Sequence, residues 1–180
     1  MADAGELSKT SKTFDPRIRN ALLSIHPTSD HAAWHGAPSV LGLLRGVDAA
    51  TAVWRPYPEA NNLREIALHV AFWENRIADR LTGDVVHLTF ERREGGWPIR
   101  RNSIDESSWR EDVRMARACH RRLIRAVDAF DPSRLDEPLG ERSTRPAIEY
   151  IHGVAEHSLY HAAQIKMLKQ LARRRGTGTG

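Results

Sequence analysis

With Cys119 as its one cysteine in 180 residues, the chain can form no internal disulfide. That agrees with a reducing compartment, and a cytoplasmic location is expected. No apolar run approaches the roughly 20 residues that a membrane span needs. The residues before Asp15 contain no apolar h-region, so no secretory leader is expected. There is no glycine-rich phosphate loop and no serine-nucleophile elbow, which removes two common enzyme readings. Internal repeats are absent, and so is any convincing run of strands.

What is present reads as one soluble domain. Apolar residues make up 41% and charged residues 28%, ordinary figures for a globular protein long enough to bury a core. A net charge of +4 raises the question of nucleic acid. However, Arg110, Arg114, Arg117, Arg121 and Arg125 recur at helical spacing and form the wet face of one helix. Arg173–Arg175, followed by glycine and threonine, reads as a solvated, frayed tail. The expected partner is a small-molecule substrate, with no nucleic acid and no membrane.

The pattern predicts only helices. Asp15-Pro16 supplies an N-cap and a first-turn proline for a short helix through Ile18, Leu22 and Ile25. Pro38 can open a second helix carrying Val40, Leu41, Leu44 and Val47. Asn62 with Glu65 resembles a capping box; Leu63, Ile66, Val70, Trp73, Ile77 and Leu81 follow at spacings of three or four, and Gly83 marks the stop. A further stripe runs from Trp109 through Val113, Ala116, His120, Leu123 and Val127 to Phe130, ended by Asp131-Pro132. The last helix begins near Pro146 and carries Ile151, Val154, Ala162, Ile165 and Leu168. Gly153, inside it, marks either a close helix approach or a kink. The expected organisation is an extension over 1–13, a helical domain over 14–172 and a flexible basic tail over 173–180.

About twenty residues separate Gly83 from Ser103, long for an antiparallel turn but enough for a crossover along the bundle. This favours an all-α, up-down-down-up four-helix bundle with a short extra N-terminal helix. The helix bearing His69 and the last helix then run antiparallel.

His157 and His161 are four residues apart and project from one helix face, on a stripe with Val154 and Leu168. His69, flanked by Ile66 and Trp73, also borders the core. At about 1.5 Å per residue, His69 lies roughly 10 Å along its helix, and the pair lies roughly 14–20 Å from the far end of its own. Antiparallel helices bring those levels within about one turn. Three neutral imidazoles suit zinc or nickel, with iron, manganese and cobalt as further candidates. Such a site keeps open positions and its full +2 charge, able to lower a bound water's pKa toward about 7 or to hold a thiolate or carboxylate. Buried histidines that merely pack and hydrogen-bond account for the same spacing, so the pattern alone leaves both readings open.

Other residues carry weaker signals. His31 and His35 are also four apart, but Gly36 and Pro38 place a helix boundary there; His35 is a candidate pocket-lining residue. Glu65 is a candidate metal or supporting ligand, and equally a capping residue. Trp73, His120, Tyr160 and Gln164 are candidate pocket-lining residues that packing explains as well. Cys119 reads as a small buried residue.

Three segments, Trp34-His35-Gly36, Leu68 to Glu74 and His157 to Ile165, together resemble the DinB/YfiT-like superfamily over roughly Asp15 to Leu171. The most specific part is H-x-x-Y-H-x-x-Q on the last helix. The resemblance implies an up-down-down-up bundle, frequently a homodimer, with a divalent metal held by His69, His157 and His161. It also implies kinship with metal-dependent transferases and isomerases that use low-molecular-weight thiols such as bacillithiol or mycothiol, although many members have no assigned activity. The expected function is a metal-dependent enzyme activating such a thiol, or water. A non-catalytic metal-binding or stress-associated bundle is the alternative.

Overall fold

A computed structural model describes residues 16–24, 26, 38–140 and 143–177. The described residues form six α-helices and no strand: α1 (Pro16–Ser24), α2 (Val40–Leu43), α3 (Ala49–Val53), α4 (Leu63–Thr82), α5 (Glu106–Ala129) and α6 (Ala147–Thr177). None is long and apolar enough to cross a membrane.

Local chemistry sets the ends of the long helices. At α4 the Asn62 side chain accepts from the Glu65 backbone N–H at 2.8 Å, and the Glu65 carboxylate accepts from the Asn62 N–H at 3.3 Å. Gly83 closes the helix, its N–H donating to the Asp79 carbonyl at 2.9 Å. At α5 the Asp105 carboxylate caps the Ser108 N–H at 2.7 Å. Helix α5 buries Trp109, Ala116, Leu123 and Val127 and leaves Arg110, Arg114, Arg121 and Arg125 exposed, as its periodicity predicts.

Side-chain bonds between helices give their directions. Arg64 pairs with Asp112, Glu74 with His120, and Asp79 with Arg122. Both numbers rise together, so α4 and α5 run parallel. His69 meets His157, whereas Arg80, further along α4, meets Tyr150. Here one number rises as the other falls, so α6 runs antiparallel to α4, as the length of the Gly83–Ser103 connection suggested.

Two expectations of the sequence need correction. The segment after Pro38 is not one helix. The chain turns at Gly46 in the left-handed region (φ 65°), and Asp48 caps a new helix through the Thr51 N–H. Two short helices, α2 and α3, therefore stand where a four-helix bundle has a long first one, with α2 tied to α6 by Lys169 donating to the Leu43 carbonyl at 2.8 Å. At the other end, α6 continues through Thr177 and takes Arg173–Arg175 into its last turns instead of releasing them as a tail. The expected extension over 1–13 lies outside the described residues.

The buried apolar residues fall into two groups. One gathers Leu41, Leu44, Leu63, Ile66, Trp109, Cys119, Ala162 and Ile165. The other gathers Leu22, Ile77, Leu123, Phe130, Ile151 and Val154. Between them each long helix contributes polar side chains: His69 and Glu74, then His120, then His157, Ser158 and His161. This level holds the candidate site.

The connection from α4 to α5 is fastened to the bundle. Asn75 donates to the Val86 carbonyl at 2.7 Å, Asp79 accepts from the Val86 N–H at 3.0 Å, and Arg122 donates to the Asp84 carbonyl at 2.6 Å. Its middle folds back on itself through Arg93 N–H to the Trp97 carbonyl at 2.8 Å. Gly96, with φ 78°, lets this turn lie against α4, where a Cβ would overlap the Phe72 ring. Gly153 of α6 is different: it is exposed, and a Cβ there meets open space, so it marks no close helix approach.

The two glycines should respond in opposite directions to alanine. Gly153→Ala should raise the unfolding free energy by about 0.5–1 kcal/mol. Gly96→Ala should lower it by about 1–3 kcal/mol through overlap and backbone strain. Urea midpoints at unchanged slope check both.

Candidate metal centre

His69 sits on the face that α4 turns to α6, and His157 and His161 lie one turn apart on the facing side of α6. His69 and His161 are only 5% and 4% exposed, and His157 is half-buried. The Nε2 atoms of His69 and His157 are 3.1 Å apart. One ligand nitrogen from each of the three rings falls within 4.8 Å of the others. Tetrahedral coordination at metal–nitrogen distances of about 2.0–2.1 Å places ligand nitrogens roughly 3.3 Å apart, so little movement would bring this group onto one ion.

The neighbours of the rings support that use. His161 Nδ1 donates to Gln164 Oε1 at 2.7 Å. An accepting oxygen at Nδ1 keeps the proton there and leaves the Nε2 lone pair facing the cluster. The Nδ1 atoms of His69 and His157 are buried without a well-formed hydrogen bond. If both carry a proton, two Nε2 lone pairs face each other; if one proton moves to Nε2, a bare Nδ1 is buried instead. Either arrangement is costly without a cation between the rings, and the donor set fits a divalent metal.

Electrostatics hold the rings neutral. Burial, followed by the neighbouring His157 and His161, lowers the His69 pKa from 6.5 to about 3. Burial and His161 lower His157 to about 4. Burial also lowers His161, opposed by its bond to Gln164. Neutral imidazole is the form that ligates metal.

Residues singled out in the sequence separate into three groups. Trp73, 37% exposed, presents ring edges near His69 and His157, with centroids 6.4 and 6.2 Å away. Tyr160 stands exposed beside His161, and Gln164 orients it. Glu65 is used elsewhere: it is fully buried, caps α4 and is clamped by Arg55 at 2.6 and 2.8 Å. His120 joins the adjoining Glu74, its Nδ1 3.0 Å from the carboxylate, which also accepts from the Ser158 hydroxyl at 3.3 Å. Cys119 is buried, and burial raises its thiol to about 12, so it is no nucleophile. His31 and His35 lie outside the described residues.

Trp97 was not anticipated. Its ring stacks on His69 at 3.8 Å and 3° and fixes the plane of that imidazole. The Gly95-Gly96 pair before it signals a turn, but no spacing rule says which helix a turn will cover. Glu74 was likewise missed as a partner of His120, because their contact joins helices 46 positions apart in the chain.

The histidines should make the metal-free protein acid-labile. Unfolded, each takes a proton near 6.5; folded, His69 and His157 resist until about 3 and 4, and buried His26 until about 4. Through that interval the unfolded chain binds more protons. Stability should therefore be complete above about pH 6.5 and fall steadily as pH drops toward about 4. Urea midpoints of chelator-treated protein across this range test it; an unchanged midpoint would contradict buried neutral rings.

The model of the DinB superfamily matches residues 36–165, a span that includes all three histidines. No curated protein and no solved structure matches the chain. With well over half of its length matched, and with His69, His157 and His161 brought together, the chain belongs to the DinB superfamily.

Proposed function

We propose that the protein is a metal-dependent enzyme of the thiol S-transferase type, with hydrolysis as its nearest variant. The observation that carries this reading is the convergence of three neutral imidazoles, two buried and one half-buried, with no fourth protein ligand among the described residues. Three ligands and open positions characterise catalytic rather than structural sites. Zinc or nickel suits an all-imidazole set best, followed by iron, manganese or cobalt. When bound, the ion supplies Lewis acidity toward a low-molecular-weight thiol or water near neutral pH.

The residues divide the remaining work. His69, His157 and His161 hold the ion. Gln164 keeps the proton on His161 Nδ1, so the ligand nitrogen stays available. Trp97 stops the His69 ring from turning and covers it from water. Exposed Trp73 and Tyr160 border the open side, where a small electrophilic substrate would approach.

The same reading takes the fold as an up-down-down-up bundle whose first helix is broken into α2 and α3. It includes a homodimer, supported by the exposed Leu159, Met167 and Leu171 of α6. A cytoplasmic setting accords with the single cysteine.

Metal analysis after loading should find one ion per wild-type chain and a sub-stoichiometric amount in His157→Ala. Unchanged binding in alanine variants at all three histidines would refute the centre. Gln164→Leu should bind metal about 10–100-fold more weakly. Thiols should then be screened against electrophiles with the matched metal; turnover abolished by His69→Ala supports transfer, whereas bound metal without turnover favours sequestration.

A further inference from the structure

Beside the histidines, the outer face of α4 and the connection to α5 enclose an open cleft of about 510 Å³, within the range of small-molecule pockets. Trp73 and Gly96 line it. Trp73 also meets His69 and His157, and Gly96 precedes the Trp97 that covers His69. One end of the cleft therefore adjoins the three-histidine centre.

Its lining is cationic. Arg76, Arg80, Arg92 and Arg93 all line it, and none forms an ion pair with a carboxylate among the described residues. Within the cleft, Arg92 donates to the Leu88 and Phe90 carbonyls at 3.2 and 3.1 Å, with its guanidinium over the Phe72 ring. Arg93 donates to the Pro98 carbonyl and to Asn61 at 3.2 and 2.8 Å, and lies over Trp97. Arg80 rests over Tyr150. These partners orient the guanidinium groups without neutralising them. The one carboxylate in the lining, Asp79, is occupied by Arg122 at 2.6 Å.

Four like charges around one concavity repel each other and concentrate anions. The planar guanidinium suits oxyanions in particular, because its fork matches carboxylate and phosphate. Phe72 and Trp73 add apolar surface between the charges and the histidines. We propose that this cleft holds the anionic end of a small amphipathic molecule, a carboxylate or phosphate on an apolar body, whose other end lies at the Trp73 rim of the metal centre. The proposal rests on reading that centre as a small-molecule site, and it names the class of molecule delivered there.

Binding can be read without activity, using anilinonaphthalene sulfonate as an anionic fluorescent probe and phenylnaphthylamine as its uncharged counterpart. The sulfonate should bind the metal-loaded protein more tightly than the amine. Arg76→Gln and Arg80→Gln should each weaken it roughly fivefold, Arg76→Lys should retain most of the affinity, and the amine should be unaffected. Displacement by benzoate or by phenyl phosphate supports the site and shows which head group it prefers. Variants that bind the sulfonate as wild type does, or that lose both probes alike, would overturn the proposal. Metal content separates the two readings. The arginine variants should keep their metal, and His157→Ala should lose metal yet retain arginine-dependent probe binding. A wild-type chain that takes up no metal but still shows that binding would sink the metal centre and leave the cleft.

Discussion

The 3.1 Å approach of His69 to His157 is the contact on which the rest of the structure turns. Two unprotonated imidazoles have little reason to meet in an apolar interior, and desolvating them opposes folding. Apolar packing on both sides of their level forces the encounter. Ile66 and Val70 join one apolar group with Ala162 and Ile165, and Ile77 joins the other with Ile151 and Val154. Burial of those side chains sets the register of α6 against α4, and the register leaves the histidines no other place. The local instability is then available to a ligand: whatever satisfies the three nitrogens also recovers part of what their burial costs.

The adjoining Glu74–His120 pair solves the same problem without a cation. A carboxylate and an imidazole 3.0 Å apart, with the Ser158 hydroxyl as a further donor, satisfy one another inside the protein. Side by side, the two groups show how partner chemistry, rather than burial, separates a histidine satisfied by its neighbours from one left with an unpartnered nitrogen. His161 combines both conditions, with one nitrogen satisfied by Gln164 and the other facing the cluster.

Much of this was legible in the sequence because it is written at short range. Asn62, Glu65 and Gly83 bound α4 through contacts made within a few residues, and Asp131-Pro132 ends α5 in the same local way. The four-residue spacing of His157 and His161 is a helical property that needs no tertiary information. Even the parallel course of α4 and α5 was foreshadowed by the length of the segment joining them. What escaped notice depends on distant partners or on competition between near-equal local preferences. Val40, Leu41, Leu44 and Val47 carry a helical period, yet Gly46 and Asp48 favour a break and restart, and the pattern of apolar residues does not register that. Trp97 covers His69 because Asn75, Asp79 and Arg122 fasten the connection to the bundle, a set of bonds spread over half the domain. For Glu65 both roles were visible, and the unforeseen guanidinium of Arg55 decided between them.

The connection between α4 and α5 also separates two kinds of inheritance. The three clustered histidines stand on long helices, where a shift of one residue would dismantle the core. Trp97 and two of the four cleft arginines stand instead on the connection anchored at its base, where the exposed Arg92 and Arg93 side chains carry little of the core. A lineage built on this scaffold can therefore keep the three-histidine cluster unchanged while altering what is presented to it. Such a division would let related bundles diversify their chemistry through a stretch of some twenty residues.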